Sequence, residues 1–470
     1  MLRRTLAFAV LLTAARYAPA QSPDTSIRAR VDRVFAAYDR TDSPGCAVGV
    51  YRDGHAALAR GYGMANLELN VALSPQSVFD IGSTSKQFTA TSVVLLAQQG
   101  KLSLDDDIRK FIPELPNYGK TITIRHILTH TSGIRDYLTL WSLAGVDDAD
   151  LTTEDDALQL IVRQRELNFM PGEQWLYSNS GFFLASVIVK RVSGKSLAQF
   201  ADEQIFRPLG MTHTRYNDDH MAVIPNRATG YAQRPGAGFA TAMSNFEQTG
   251  DGGVQTSIED LMKWDENFYH PTVGGDALLK ALHTVAVLND GKKQTYALGL
   301  TVDSYRGLRT VSHGGSWAGY RAELLRFPDQ HLSVATLCNL ANTNPTLLSR
   351  RVAEVFLGDK MSAAADVAAA GGPSRQQSPS PTWSPSAADL AAFAGTYYSP
   401  ELETTYSLRV ESGKLVLLRR REAPTELTPL STDSFRARGV QFNFTKERGK
   451  PNGFTVDAGR TRNLRFDRTK

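Results

Sequence analysis

The amino-acid sequence predicts an α+β fold, in which a mixed antiparallel sheet is flanked by helices and followed by a small all-β C-terminal domain of barrel-like form. Strand-like runs stand at both ends of the first 358 residues, with helical periodicity between them. A linker rich in Ala, Gly, Pro and Ser follows at 359–386, and short strands separated by turn residues fill 387–470. A chain of 470 residues has room for one large unit and one smaller one.

The N-terminus has the three parts of a secretory signal. Arg3 and Arg4 form a basic start, Leu6 to Ala14 is a short apolar run, and small residues precede a cleavage point after Ala20. The run is shorter than the roughly 20 residues that a membrane-spanning helix needs, and no later stretch is long and apolar enough to span a membrane. We therefore expect a signal peptide at 1–20 and a periplasmic or secreted protein.

The unit at 21–358 opens with a helix and a hairpin. Apolar residues at helical spacing predict a helix over 25–41. Two strand-like runs, 46–51 and 56–62, flank an Asp-Gly turn and predict a β-hairpin. A second helix is predicted over 83–100, because Val93, Val94, Leu96 and Ala97 form an apolar face and Gly100 ends the helix.

The middle of this unit is mostly helical, and its end is strand-like. Thr256 and Glu259 form a capping-box pattern that predicts a helix start. Four strand-like runs come later, at Leu298 to Val302, Thr310 to Ser312, Ala322 to Phe327 and Ser333 to Leu340. We expect the first and last strands of the unit to close one sheet.

Composition and charge limit the classes of partner. The formal net charge of +4 is small for 470 residues and does not indicate nucleic-acid binding. The segment 387–470 holds 15 Lys and Arg against 10 Asp and Glu, which we interpret as a solvated surface; attraction to an anionic envelope polymer is the alternative. Cys46 and Cys338 either pair in an oxidising compartment or remain two buried free thiols.

The first motif that carries chemistry is Ser83-x-x-Lys86, at the start of the apolar helix predicted over 83–100. Residues three apart share a helix face, so the Lys86 amine can approach the Ser83 hydroxyl. A hydroxyl becomes a good nucleophile when a neighbour takes its proton. A buried lysine can take it if desolvation lowers the pKa of the amine.

The second motif is Tyr177-x-Asn179. Tyr177 can act as a base toward Ser83, which requires a pKa lowered by the Lys86 charge, or as a proton shuttle to the leaving group. Asn179 can hydrogen-bond Lys86 or a substrate amide.

The third motif is His313-Gly-Gly315-Ser316. Its glycines leave an open strand edge that a substrate backbone can approach. The backbone N–H of Ser316, together with that of Ser83, can form an oxyanion hole. We therefore include His313, Gly315 and Ser316 with Asn179 as substrate-binding residues.

Each of the three motifs occurs once, and in this order they resemble the penicillin-recognising serine hydrolases: class C β-lactamases, D-alanyl-D-alanine peptidases, D-aminopeptidases and related esterases. The resemblance covers about 30–357 and implies a β-lactamase/transpeptidase-like fold. It implies that Ser83 is the acylated nucleophile, that Lys86 and Tyr177 transfer protons, and that His313 replaces the lysine of the third motif.

That replacement bears on the substrate. β-Lactamases of this branch usually carry Lys-Thr-Gly, whereas His313 is only partly charged near neutral pH and Gly314 offers no hydroxyl. Ser316 and Arg321 could restore part of the carboxylate binding. We expect acyl-enzyme hydrolysis of a D-amino-acid peptide, a peptidoglycan fragment or a small ester. The alternatives are modest β-lactamase activity, or a non-catalytic envelope binding or scaffold protein on the same fold.

No cofactor or metal is expected. His126 and His130 stand four apart, but no glutamate follows His126 as a metalloprotease would require, and we interpret both as structural. The glycine-rich run 250–253 lacks the Lys-Ser/Thr of a phosphate loop and is interpreted as a tight turn near the active cleft.

Overall fold

The computed structural model describes residues 25–236, 238–363 and 383–469. The signal peptide predicted at 1–20, and the part of the predicted linker from 364 to 382, lie outside these residues. No helix in the described part of the chain is long and apolar enough to cross a membrane.

The described residues form eleven α-helices and 21 strands, with a few short 3₁₀ and π turns between them. The helices are Thr25–Phe35 (α1), Lys86–Gln98 (α2), Ile124–Leu128 (α3), Tyr137–Ala144 (α4), Glu154–Val162 (α5), Asn179–Ser193 (α6), Leu197–Ala201 (α7), Ile258–Glu266 (α8), Gly275–Leu282 (α9), Pro345–Leu357 (α10) and Ala387–Phe393 (α11). The strands are Cys46–Arg52 (β1), His55–Tyr62 (β2), Met64–Asn66 (β3), Val71–Ala72 (β4), Phe79–Asp80 (β5), Arg215–Tyr216 (β6), Tyr231–Arg234 (β7), Gly238–Thr241 (β8), Val254–Thr256 (β9), Thr301–Tyr305 (β10), Leu308–Trp317 (β11), Tyr320–Phe327 (β12), Leu332–Cys338 (β13), Gly395–Ser399 (β14), Thr404–Glu411 (β15), Lys414–Leu418 (β16), Thr425–Ser431 (β17), Ser434–Ala437 (β18), Val440–Glu447 (β19), Lys450–Ala458 (β20) and Thr461–Arg468 (β21).

The main sheet joins the two ends of the large unit, as the sequence predicted. Its strand order is β10-β11-β12-β13-β1-β2, and every neighbouring pair is antiparallel. Cys46 on β1 faces Cys338 on β13, and the two form a disulfide. The sequence left two free thiols as an alternative, and the structure selects the pair.

Both faces of the sheet are covered, which explains its near-continuous apolar strands. Val48 and Val334 point into a core shared with α1 and α10. Ala47 and Ala335, one residue before or after them, belong to the larger core on the other face, where α8 packs against β1 and β13. Alternating side chains therefore meet an apolar layer on each side.

The helix that begins at Lys86 is buried along most of its length. Its first eleven residues, Lys86 to Leu96, are all buried, and the hydroxyls of Thr91 and Ser92 are satisfied by carbonyls one turn back. The predicted helix over 83–100 is thus a 3₁₀ turn at Gly82–Ser85 that continues into α2. This arrangement places a lysine at the start of a helix that has almost no solvent around it.

Several boundaries differ from the prediction. The strand predicted at Thr310 to Ser312 extends over Leu308–Trp317. The helix predicted over 25–41 ends at Phe35. The cap of α8 is Ser257 instead of Thr256: its hydroxyl accepts the Asp260 N–H, while Glu259 reaches outward to Gln76.

Strand β10 begins at Thr301, three residues later than predicted. Gly299 has a left-handed φ of 73°, and a Cβ there would lie 2.7 Å from the Lys86 carbonyl oxygen. The chain therefore turns against α2 before it can extend.

The C-terminal domain is a closed antiparallel barrel of eight strands, β14 to β21, with β14 paired to β21. Aromatic side chains fill its interior, among them Tyr397, Phe435, Phe454 and Phe466. Closure leaves no open sheet edge along these eight strands.

The barrel is joined to the large unit by a buried ion pair. Arg135 is fully buried and donates to Glu401 Oε2 at 2.5 Å, and Glu401 is itself 4% exposed. The same guanidinium donates to the carbonyl oxygens of Arg462 (2.9 Å) and Asn463 (3.0 Å), which lie on β21. One buried cation therefore fixes two points of the barrel.

We predict that Glu401→Ala lowers the free energy of unfolding by about 3 kcal/mol, because it removes the buried counter-ion of Arg135 and leaves only the exposed Glu166, whose Oε2 lies 3.7 Å from Arg135 Nη2. The matched control is Glu403→Ala, which removes an exposed partner of Arg163 and should change stability by less than about 1 kcal/mol. Urea denaturation of the full chain checks both. Equal stability of the two variants would contradict the role given to this pair.

Candidate active site

Ser83 lies in the 3₁₀ turn that leads into α2, at one edge of a cleft of about 500 Å³. The turn is pinned by Asp80, whose carboxylate accepts the Gly82 N–H at 2.7 Å. Gly82 has a φ of 47°, and a Cβ there would lie 2.7 Å from the backbone nitrogen of Ser316. The turn and strand β11 therefore pack backbone against backbone.

Strand β11 lines the cleft and packs directly against this turn, and the close contact needs glycine. A Cβ on Gly315 would lie 1.9 Å from the carbonyl oxygen of Ile81. Gly315 and Ser316 both line the cleft, and the Ser316 N–H lies beside the turn that carries Ser83. The structure thus brings the first and third motifs together.

The Lys86 amine is buried and touches three groups. Its Nζ lies 3.0 Å from Ser83 Oγ and 2.9 Å from Asn179 Oδ1, and it donates to the carbonyl oxygen of Asp251. Burial lowers the pKa of Lys86 to about 7, although the negative charges of Asp251 and Asp136 oppose that shift. A large fraction of this amine is therefore neutral near pH 7.

The contacts of Lys86 determine whether an N–H bond or the lone pair of its amine is directed at Ser83. Asp136 Oδ2 accepts both the backbone N–H and the side-chain Nδ2–H of Asn179, so Asn179 Oδ1 must face Lys86 as an acceptor. The carbonyl oxygen of Asp251 can also only accept. A neutral amine has two N–H bonds and one lone pair. Both N–H bonds are used, and the lone pair remains for the Ser83 hydroxyl proton.

Tyr177 lines the same cleft as Ser83, and the centroid of its ring lies 5.0 Å from Lys86 Nζ. Burial is the main influence on the hydroxyl and raises the pKa of Tyr177, although the nearby Ser83 hydroxyl partly opposes the shift. The phenolic oxygen makes no hydrogen bond to any described residue. The lowered pKa that a base role requires is not found, so a neutral phenol that passes protons fits better.

His313 is buried on β11, and its hydrogen bonds fit a neutral imidazole. Its Nδ1 lies 2.6 Å from the Gly314 carbonyl oxygen, which can only accept, so Nδ1 carries the proton and Nε2 accepts from the Tyr296 hydroxyl at 2.8 Å. Burial and the Lys86 charge lower the pKa of His313 to about 3. The histidine is therefore neutral where a lysine would be charged.

The structure adds site residues that the sequence analysis did not select. Asp251, in the predicted turn at 250–253, supplies a carbonyl to Lys86, and its carboxylate accepts from Tyr137. Asp136 orients Asn179, and Arg460 of the barrel lines the cleft. The glycine-rich turn was a usable signal for Asp251; nothing local marked Asp136 or Arg460.

His126 and His130 make structural hydrogen bonds, as the sequence analysis interpreted them. His126 Nδ1 accepts the Thr123 N–H in a capping box, and His130 Nδ1 accepts the Ser178 N–H behind Tyr177. Within the described ranges, one group has metal-ligand spacing: Asp219, His220 and Glu247. It lies outside the cleft-lining set, and His220 is already hydrogen-bonded to Glu247.

An antiparallel sheet covered by helices, with a serine and a tyrosine in one cleft and a buried lysine beside the serine, defines the class of β-lactamase/transpeptidase-like proteins. The family model described as Beta-lactamase matches residues 31–359, and the chain belongs to this family.

Two curated relatives and one solved structure show how far the likeness extends. The chain is 31% identical over 292 residues to Penicillin-binding protein 4* of Bacillus subtilis (strain 168), covering 59% of this chain and 64% of that protein. It is 30% identical over 317 residues to a D-aminopeptidase of Gluconobacter oxydans (strain 621H), covering 67% and 59%. The chain thus spans about three fifths of the length of these relatives.

The octameric penicillin-binding protein homologue from Pyrococcus abyssi has a similar structure, with a TM-score of 0.63 and 22% identity. The match covers 94% of this chain and 99% of that one. At this identity the likeness shows a shared fold, and its coverage includes the barrel.

We predict that the rate at which a fluorophosphonate labels Ser83 rises with pH through an apparent pKa near 7, because a protonated Lys86 cannot accept the serine proton. The Asp251 charge raises the pKa of Lys86, so Asp251→Asn should move this rise to lower pH, by about 1 unit.

Asp105→Asn, which neutralises an exposed carboxylate paired with Arg125, is the control and should leave the profile unchanged. A profile that is flat from pH 5 to 9 in the parent would contradict a lysine base.

Proposed function

We propose that this protein is a serine hydrolase that cleaves an amide or ester bond through an acyl-enzyme on Ser83. The observation that carries the proposal is the buried Lys86 amine, whose lone pair is left for the Ser83 hydroxyl by the two acceptors Asn179 and Asp251. This is the arrangement that activates a hydroxyl nucleophile.

In the first step, Lys86 takes the proton from Ser83 Oγ as that oxygen attacks the substrate carbonyl carbon. The negative charge that develops on the carbonyl oxygen would be held by the backbone N–H groups of Ser83 and Ser316, which belong to two segments that pack against each other at the cleft. No charged side chain is required at that point.

In the second step, the proton now on Lys86 must reach the leaving group. Tyr177 is neutral, lies against Lys86 and has an unpaired hydroxyl among the described residues, so it can give its proton to the leaving atom and regain one from Lys86. Water then attacks the acyl carbon and gives a proton to Lys86. The bond from that carbon to Ser83 Oγ breaks, Lys86 returns the proton to Ser83 Oγ, and the carboxylic acid product leaves.

For the substrate, we propose a D-amino-acid peptide, a peptidoglycan fragment or a small ester. The D-aminopeptidase relative supports the first of these. The neutral His313 and the absent hydroxyl at Gly314 leave these two positions without the cation and hydroxyl that β-lactamases of this branch use there. We therefore place β-lactam hydrolysis second.

We also propose that the protein is exported to an oxidising compartment, where it acts in the periplasm or outside the cell. The Cys46–Cys338 disulfide supports this location, because such bonds persist mainly outside the cytosol.

The proposal predicts that the purified mature protein is labelled by a fluorophosphonate at Ser83, and that Ser83→Ala abolishes the label. Lys86→Met should reduce turnover by at least about 10³-fold while leaving the fold intact, because the general base is lost. The measurement is hydrolysis of a panel of D-amino-acid amides, p-nitrophenyl esters and nitrocefin.

Ser85→Ala is the matched control for Ser83→Ala. Ser85 is buried in the same turn, and its hydroxyl accepts the Val254 N–H, whereas the Lys86 amine contacts Ser83, Asn179 and Asp251. Labelling that persists in Ser83→Ala would refute the nucleophile. Tight ligand binding without turnover of any panel member would favour a non-catalytic envelope protein.

A further inference from the structure

The hairpin between β20 and β21 of the barrel brings Arg460 to the cleft of the large unit. Its guanidinium carbon lies 4.5 Å from the centroid of the Tyr177 ring, and Arg460 lines the same cleft as Ser83. The C-terminal domain thus contributes a cation beside the residue that we propose as the proton donor to the leaving group.

The position of Arg460 is built by several contacts. Its carbonyl oxygen accepts a hydrogen bond from Asn168 Nδ2 at 3.0 Å. Two residues later, the backbone N–H of Arg462 donates to Oδ1 of the same asparagine at 2.8 Å. The buried Arg135 side chain donates to the carbonyl oxygens of Arg462 and Asn463, which lie on β21 just after the hairpin. These hydrogen bonds fix the backbone of the hairpin and therefore the position from which the Arg460 side chain extends.

The guanidinium of Arg460 keeps its donors available. It donates no hydrogen bond to any described residue, and its side chain is 45% exposed. Its nearest carboxylate is Asp136, where Nη1 and Oδ2 are 3.9 Å apart. Asp136 already accepts two N–H groups from Asn179 and two donors from Thr139, so it does not occupy the fork of Arg460.

Other cations near the cleft are unsuited to an anion. Lys86 is buried and His313 is neutral. Arg321, which the sequence analysis suggested as a partial replacement, points its Nη1 at the carbonyl oxygens of Ala318 and Tyr320 and does not line the cleft.

We propose that Arg460 binds a carboxylate on the leaving-group portion of the substrate, so that the barrel supplies the anion recognition that the third motif of this chain lacks. This inference rests on the proposed function, because Tyr177 marks the leaving-group side of the cleft. Arginine is well suited to this role, since its planar fork can bind both carboxylate oxygens. The substrate class is a peptide that ends in a free carboxylate close to the scissile bond.

The test compares D-alanyl-glycine, which has a free carboxylate, with D-alanyl-glycinamide, which does not. For the parent we expect a kcat/KM that favours the acid. Arg460→Gln should lose about 10- to 100-fold in kcat/KM on the acid, mostly through KM, and less than about 3-fold on the amide. Arg460→Lys, which keeps the charge but loses the fork, should fall between.

Arg462→Gln is the matched control. It removes an arginine from the same hairpin whose Nη1 donates to Gln174, outside the cleft lining. It should preserve the acid-to-amide ratio. Circular dichroism of each variant verifies that the fold is retained.

An equal loss on acid and amide, or no loss on either, would overturn the inference and leave the proposed function standing, provided that Ser83 is still labelled. Competition provides a second readout for any substrate of the parent: glycine-terminated acyl peptides should inhibit parent turnover, their amides should not, and Arg460→Gln should abolish the difference. A parent that neither labels nor turns over would overturn both proposals.

Discussion

The site depends on keeping one amine out of water. Lys86 begins a helix that is buried along nearly all its length, and an ammonium ion in that position would carry a large desolvation cost. The surroundings reduce this cost without restoring full charge: Asn179 and Asp251 offer oxygen acceptors, while the carboxylate of Asp136 is turned toward Asn179. Lys86 therefore has a lowered pKa and a directed lone pair, and the proposed activation of Ser83 follows from both.

The two domains act on one cleft. The catalytic unit encloses Lys86 and presents Ser83 and Tyr177, but its third motif has a neutral histidine where a cation is common in β-lactamases of this branch. The barrel places Arg460 beside Tyr177 in that cleft, through a hairpin whose position depends on the buried Arg135–Glu401 pair. The residues that dock the barrel on the large unit, and so stabilise the protein, therefore also position the residue that we propose recognises the substrate.

Local patterns predicted the features with local causes. The i, i+3 spacing of Ser83 and Lys86 predicted their contact, because a single helical turn is enough to bring the two side chains together. The turn residues of 387–470 predicted an all-β domain, which the structure confirms as a closed barrel. Features with distant causes were missed. The neutral state of His313 depends on burial beside Tyr296, and the role of Arg460 depends on how two domains dock; neither leaves a mark in the neighbouring sequence.

The most direct test is to titrate Lys86 itself by NMR, using protein labelled with ¹³C at lysine Cε and the Lys86→Arg variant to assign the resonance. The account predicts a chemical-shift transition with a pKa near 7, well below the value of about 10.4 that is ordinary for a lysine in water. A Lys86 resonance that stays that of an ammonium up to pH 10 would contradict the central claim, since no neutral amine would then be available to the serine.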